Sequence, residues 1–352
     1  MMMADRIHVT KRQHYVYRKY LKSWADTNTS DPQLSALVKD SNRTFRSGLM
    51  GVAQQKYFYE FKVLTEVEKM MAIILSHSRY NVLNHADPYS IIRNIEIINI
   101  AEKHQLSDKN SNYSHQHFTD LRRQLGENMQ SKYEESGQKF IDLLLNEDIS
   151  FYNTDDGKIE FIYFFIMQYI RTKSMRENLN NTFSDLSSNL DKLVRLLDEI
   201  SRKAHEHNIP FDKEKAAEEL NDLDSNLVFN NVVPFITYTT VDELVYAFTQ
   251  KNRMELYIIK SHPEIKFITG DQPAINIHSP SPNYKKEVDD LEFYYPLSPD
   301  IAIILNFPDH QGWPKHLSKQ QTIELNEKIY EAAHLQVYAA NDNAFKASNL
   351  IK

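Results

Sequence analysis

Three short polar clusters, far apart in the chain, hold the residue types that acid/base or phosphate chemistry requires. They are Gln13-His14-Tyr15-Val16-Tyr17, Gln168-Tyr169-Ile170-Arg171 and Thr269-Gly270-Asp271-Gln272-Pro273. An imidazole with an ordinary pKa of about 6.5 suits proton transfer at neutral pH, which makes His14 a candidate general acid or base. The planar guanidinium of Arg171 matches a phosphate or carboxylate in two-point contact. Asp271 could orient His14 or help to hold a divalent ion such as Mg2+, whose second ligand the sequence does not name. Gln168, Arg18 and Tyr15 are the candidate substrate-binding side chains. Each reading has a structural counterpart. His14 can be a hydrogen-bonded packing residue, Asp271 the cap of an Asx-turn, and Arg171 one half of a buried clamp closed by Asp271, because an unpaired buried charge is costly.

The elements that must position these residues can be read from periodicity. Residues 13–25 form a short helix or extended lead-in with Tyr17, Tyr20, Leu21 and Trp24 on one apolar stripe. Leu34–Val38 and Arg43–Val52 read as strands joined around Asp40-Ser41-Asn42, a hairpin turn. Helices are predicted over about 63–83, 88–107, 115–147, 158–178 and 182–207. Gln168 and Arg171, three apart, share a face of one of them. They follow the run Phe161–Met167, which is far shorter than the ~20 residues a bilayer span needs and reads as a buried helix. After a helix at 242–250, strands are predicted at 254–259, 265–269, 293–295, 301–307 and 335–339, with a helix near 318–333. Ser279–Asp290 reads as an exposed loop. Asp271 thus lies just after a strand, where Gly270 permits a turn or close backbone approach and Pro273 holds Gln272 extended. The expected fold is α+β: one domain over 1–352, with a mixed sheet built from the N-terminal hairpin and the C-terminal strands, and a helical insertion over 62–226.

Composition narrows the chemistry. The 352 residues contain no cysteine, which excludes disulfides, thiolate zinc sites, iron–sulfur clusters and a cysteine nucleophile. Only 7 glycines occur, and neither GxGxxG nor GxxxxGK[ST] is present, which argues against a P-loop or an ordinary dinucleotide fold. The segment MMMADRIHVTKRQHY lacks an apolar signal core, so a cytoplasmic location without membrane association is expected. His115/His117 and His205/His207 form H-x-H pairs, but near predicted helix ends, where i,i+2 side chains diverge. Net charge is −7, yet residues 1–60 carry +5 and the remainder −12. The basic segment, with Arg6, Lys11, Arg12, Arg18, Lys19, Lys22, Arg43, Arg46 and Lys56, is interleaved with Tyr15, Tyr17, Tyr20, Trp24 and Phe45. Such a mixture suits nucleic acid, through phosphate neutralisation and base stacking. It also suits a solvated face on an acidic protein.

Five stretches also carry a resemblance. Gln13–Leu21 is similar to the QHYVPxxYL opening of the family known as domain of unknown function 4238, and the hairpin followed by Tyr57-Phe58-Tyr59 resembles its early strand pair. Gln168-Tyr169-Ile170-Arg171-Thr172 resembles its QxxRT element, Phe267–Pro273 its FITSDNPV strand end, and Tyr295–Pro299 its FPLSP signature. Tyr17 stands where the family has proline, Gly270 where it has serine and Gln272 where it has asparagine. The resemblance implies a shared fold and a common polar pocket, and supplies no reaction.

These observations lead to two expectations. The first is a phosphodiester-directed, nuclease-like hydrolase, an effector of microbial defence such as antiviral defence, or a toxin. In it His14 transfers protons, Arg171 stabilises phosphoryl charge, Asp271 orients or binds metal, and Gln168 positions substrate. The second is a nonenzymatic binding or regulatory protein whose polar cluster latches the fold or holds a ligand. Its middle helices would offer a surface to a second copy or another protein. No GxSxG elbow supports a serine hydrolase.

Overall fold

The computed structural model describes residues 8–26, 30–75, 88–108, 113–187, 190–222, 225–251, 254–279, 290–308 and 312–351. The class is α+β, with antiparallel sheets formed from both ends of the chain and a largely helical middle. Contacts divide the chain into two compact units. One comprises Met1–Gln13, Lys56–Lys132 and Leu179–Glu243, the other His14–Gln55, Tyr133–Asn178 and Leu244–Lys352. This division departs from an insertion over 62–226, because Tyr133–Asn178 belongs with the strands. The reason is local. Phe161–Met167 is buried on every side, as a helix without a polar face must be, and its Phe165 ring meets Phe293 and Tyr295 of a sheet.

The first unit is helical. Helix Glu66–Leu75 opens on a reciprocal cap: Thr65 N–H donates to Glu68 Oε2 at 2.8 Å and Glu68 N–H to Thr65 Oγ1 at 3.2 Å. Of the helix predicted over 63–83, residues 63–65 precede the helix and 76–83 lie outside the described residues. Helix Leu190–Glu206 buries Leu193, Leu197, Ile200 and Ala204, the i, i+4, i+7, i+11 stripe of an amphipathic helix. It packs on Glu66–Leu75 and on Lys213–Asp222.

The second unit holds two four-stranded sheets where one was expected. In the first, Gln33–Val38 lies between Arg43–Gly48 and Gln336–Ala339, and Thr269–Gly270 extends the other side of Gln336–Ala339. The hairpin turns at Asn42, which takes φ 51°, a conformation asparagine tolerates. The N- and C-terminal ends therefore do share a sheet, as expected. The second sheet, Glu255–Lys260, Ile301–Asn306, Phe293–Pro296 and Ile275–Asn276, is C-terminal throughout. Ile301–Asn306 is internal to it and almost wholly buried, which explains its unbroken apolar sequence. Of the strand predicted over 265–269, only the last residue joins a ladder. The loop predicted over 279–290 lies almost entirely outside the described residues.

A single predicted helix over 158–178 is two helices, Asp155–Ile170 and Lys173–Ser187. Thr154 caps the start of the first, accepting from Gly157 N–H at 3.1 Å. Arg171 closes its end, donating its N–H to Met167 O at 3.2 Å, and Thr172 Oγ1 accepts from Met175 N–H at 3.4 Å to begin the second. The break therefore falls inside the QYIRT motif. Among the described residues no helix is long and apolar enough to cross a membrane.

Candidate functional site

His14, Tyr15, Arg18, Gln168, Arg171 and Asp271 all belong to the second unit. The structure does not give them a common role. Asp271 is 1 % exposed, and both its carboxylate oxygens face backbone. Oδ1 accepts from His334 N–H at 2.7 Å; Oδ2 accepts from Leu335 N–H at 2.8 Å and Gln336 N–H at 3.1 Å. These amides lie where helix Lys319–Ala332 has ended and strand Gln336–Ala339 begins, so Asp271 fixes that turn from outside. Burial pushes its carboxyl above the usual range, against the pull of the three amides. The clamp between Arg171 and Asp271 is thus corrected: Arg171 pairs with Glu134 of helix His115–Leu145 at 2.7 Å. The local cap anticipated for Asp271 is also corrected in range, because its partners lie more than 60 residues downstream.

The residue that joins the QYIRT and TGDQP motifs is Gln272. Its Oε1 accepts from the Thr172 hydroxyl, and its Nε2 donates to Tyr169 O at 3.0 Å and Ala274 O at 2.8 Å. Gly270 serves close approach: a Cβ there would sit 3.2 Å from Ala333 Cβ and 3.3 Å from Gln336 O. At the other end of the strand pair, Tyr20 gathers three motifs at one oxygen. Its hydroxyl donates to Pro296 O at 2.6 Å and meets Thr269 Oγ1 at 2.6 Å, while its ring stacks on Tyr295 with centroids 5.0 Å apart. Thr172, Gln272, Tyr20 and Glu134 were not among the candidate site residues. Thr172 had a readable signal, as a cap residue closing an apolar run.

His14 is half-buried, and its Nε2 lies 3.2 Å from Leu49 O. A carbonyl only accepts, so Nε2 carries the proton and Nδ1 of the neutral ring is an acceptor. Burial lowers the His14 pKa, the contact with the Leu49 carbonyl opposes this, and the charges of Arg18 and Arg171 add to the lowering. Arg18 is exposed and reaches Met50 Sδ at 3.0 Å. Arg171 and Gln168 are buried, 3 % and 1 % exposed. Around Arg171 lie the phenols of Tyr17 and Tyr295. Burial raises both pKa values, Glu134 adds to the rise, and the guanidinium opposes it. Tyr17 Oη, Tyr295 Oη and Gln168 Nε2 are buried with no hydrogen-bond partner among the described residues. The two phenols and the guanidinium form a group complementary to an oxyanion, here with Glu134 as the anion.

Through Tyr20 and Gln272, four of the five motif stretches are joined by hydrogen bonds within the second unit, and the model of the family described as a protein of unknown function (DUF4238) matches residues 12–343. The chain belongs to the DUF4238 family. No curated protein and no solved structure matches it. In this DUF4238 member the framework residues hold segments from both ends of the chain together, whatever else they do.

The basic N-terminal segment is less available than its sequence suggests. Tyr15, Tyr17, Tyr20 and Trp24 are at most 5 % exposed, so none can stack on a base. Arg46 is spent on Ala340 O at 2.7 Å and Gln33 O at 2.9 Å. Gln13 is wholly buried in the first unit, donating to Arg123 O and accepting from Tyr59 N–H. The His115/His117 pair diverges as expected: His115 Nδ1 meets Glu102 at 2.7 Å, while the His117 ring lies against Tyr113 and Phe118. Among the described residues no group of three or more His, Asp and Glu is arranged to hold a metal.

Proposed function

We propose that this DUF4238 protein is a binding or regulatory protein, and that its motif residues act as a latch for the second unit. The observation that carries this reading is the state of Asp271: buried, with both oxygens satisfied by three backbone amides. A carboxylate so placed is closed to solvent and spends three of its four acceptor sites on amides, which speaks against its orienting His14 or gripping a metal. Tyr20 and Gln272 spend their polar atoms in the same way, on carbonyls and hydroxyls of distant segments. A partner surface is available elsewhere: Ile97 and Ile100, on one face of helix Pro88–Ser107, are 62 % and 67 % exposed.

One observation favours a second reading, the phosphodiester-directed effector of defence or toxin systems. It is the pair of phenols, Tyr17 and Tyr295, around Arg171, which would suit phosphoryl oxygens if Glu134 swung away. One experiment separates the two. Purified protein is incubated with labelled RNA and DNA, with and without Mg2+ or Mn2+, alongside Arg171→Ala and His14→Ala. The latch reading expects no cleavage by any form and a lowered unfolding midpoint for Arg171→Ala. Metal-dependent cleavage abolished by both substitutions at unchanged midpoints would overturn it.

A further inference from the structure

A different part of the second unit contains a cleft of about 470 Å3, lined among others by His278, Asp290, Glu292 and Trp313. That volume is within the range that holds a small organic molecule. Its floor is built rather than incidental. Asn276, 2 % exposed, splints the three acidic and imidazole residues through their backbone: Oδ1 accepts from Glu292 N–H at 3.1 Å and His278 N–H at 3.3 Å, and Nδ2 donates to Asp290 O at 2.8 Å. Glu292, 7 % exposed, is held from two further directions. Its Oε1 accepts from Trp313 Nε1 at 2.5 Å and from Asn306 Nδ2 at 3.2 Å. Its Oε2 faces His278 Nε2 at 3.1 Å, and Asp290 Oδ2 lies 3.5 Å from the same nitrogen. Behind the carboxylate, Asn306 Oδ1 is fully buried with no donor among the described residues.

Two carboxylates therefore converge on one imidazole, which is charged only when protonated, beside a half-buried indole. Among the described residues the lining offers two carboxylates and, with His278 neutral, no cation. An indole wall adds attraction for a cation and apolar contact for an aliphatic stem. We infer that this cleft binds a small organic cation bearing a primary ammonium or guanidinium group. The charged head would sit on Glu292 Oε2 and Asp290 Oδ2 in place of the imidazole contact, and the stem would lie along Trp313. A neutral polyol of the same length would lack the charge that the two carboxylates require. The site uses none of the motif residues, so it stands or falls independently of the latch.

The test uses the full chain and calorimetric titration with putrescine and agmatine, with 1,4-butanediol as the neutral counterpart of putrescine and sodium chloride at matched ionic strength. The expected result is saturable binding of the two amines, none of the diol, and a loss of about tenfold or more in affinity for Glu292→Gln, which keeps the side chain's shape. Asp290→Asn, at a side chain 44 % exposed, is the second variant and should weaken binding without moving the unfolding midpoint. No saturable heat from either amine overturns the inference. So does equal binding of the diol, binding of Mn2+ in preference to the amines, or unchanged affinity in both variants.

Discussion

Replacing Asp271 tests the latch most directly. Alanine at this position removes the acceptor for three backbone N–H groups at once. A buried donor left without a partner costs about 1–3 kcal/mol. His334 and Gln336 are half-exposed and Leu335 is exposed, so water reaches part of this turn and each term falls near the low end. Burial raises the carboxyl pKa, which means that the charge is itself costly where it sits, and removing it returns part of the loss. The net expectation for Asp271→Ala is a loss of about 3 kcal/mol, a large fraction of a typical stability of about 5–15 kcal/mol. Asparagine keeps one acceptor oxygen, enough for the Leu335 and Gln336 amides, but turns an amide donor towards His334 N–H. Asp271→Asn should therefore lose about half as much. Both tryptophans, Trp24 and Trp313, lie in the second unit, so their fluorescence reports its unfolding without the helical unit. In guanidinium chloride the alanine variant should shift the midpoint by roughly 0.5–1 M at ordinary denaturant slopes. Midpoints of both variants within about 0.2 M of the parent would refute the reasoning. If cleavage of nucleic acid vanished at the same time, Asp271 would have to be a reacting group instead.

Three other substitutions probe different parts of the argument. Tyr20→Phe removes the hydroxyl shared by Thr269 and Pro296 while keeping the ring stack on Tyr295, and should cost about 1–3 kcal/mol by the same fluorescence assay. Gly137→Ala would put a methyl inside the van der Waals envelope of the buried Phe164 ring; a loss of about 1–3 kcal/mol from overpacking is expected, and an unchanged midpoint would show that the helices slide apart freely. Asp242, in helix Ser225–Tyr246 of the first unit, is pushed up to about 7 by burial and, secondarily, by Glu243. Because its folded pKa lies above the unfolded one, stability is greatest below about pH 4 for this group and is lost as pH rises towards and through about 7. Asp242→Asn should flatten that part of the pH–stability curve read by circular dichroism, and an unaltered slope between pH 4 and 8 would exclude the residue as its source.

Much of the fold can be read from local pattern, and the site can be read only in part. The hairpin at Asp40-Ser41-Asn42, the buried helix around Phe161–Met167 and the capped helix after Ser318 each carry short-range signals, because turn chemistry, unbroken apolar runs and caps act over a few residues. Partner choice does not. Nothing near Arg171 distinguishes Glu134 from Asp271 as its counter-ion, and a carboxylate that captures amides more than 60 residues away looks the same in sequence as one that caps its own turn. Tyr20 is legible as a core residue on the stripe with Tyr17 and Trp24. That its hydroxyl ties together Thr269 and Pro296 depends on a pairing 249 and 276 residues distant. The cleft was missed for the same reason. Its residues, Asn276, His278, Asp290 and Glu292, carry no periodic signal of their own; they meet because the chain turns at Ile277-His278, where Ser279 N–H donates to Asn276 O at 3.1 Å, beside the end of the ladder that pairs Ile275–Asn276 with Phe293–Tyr294.

The long range of these hydrogen bonds suggests why polar residues occupy the centre of this unit. Apolar packing rewards burial but is non-directional, so it leaves several registers of similar strands close in energy. Tyr20, Gln272 and Asp271 each end in atoms that must find named partners or remain buried and unsatisfied, a penalty that falls on every alternative pairing. Their partners lie about 60 to 280 residues away in sequence, so the specificity they confer is that of the chain's two ends finding one arrangement. The cost of closing such loops grows only slowly with length, whereas the cost of a wrong partner does not diminish. Residues employed in this way bring recognisable motifs together by fixing the fold; on the reading proposed above, recognition falls to a place where the frame opens to solvent, the cleft beside Trp313.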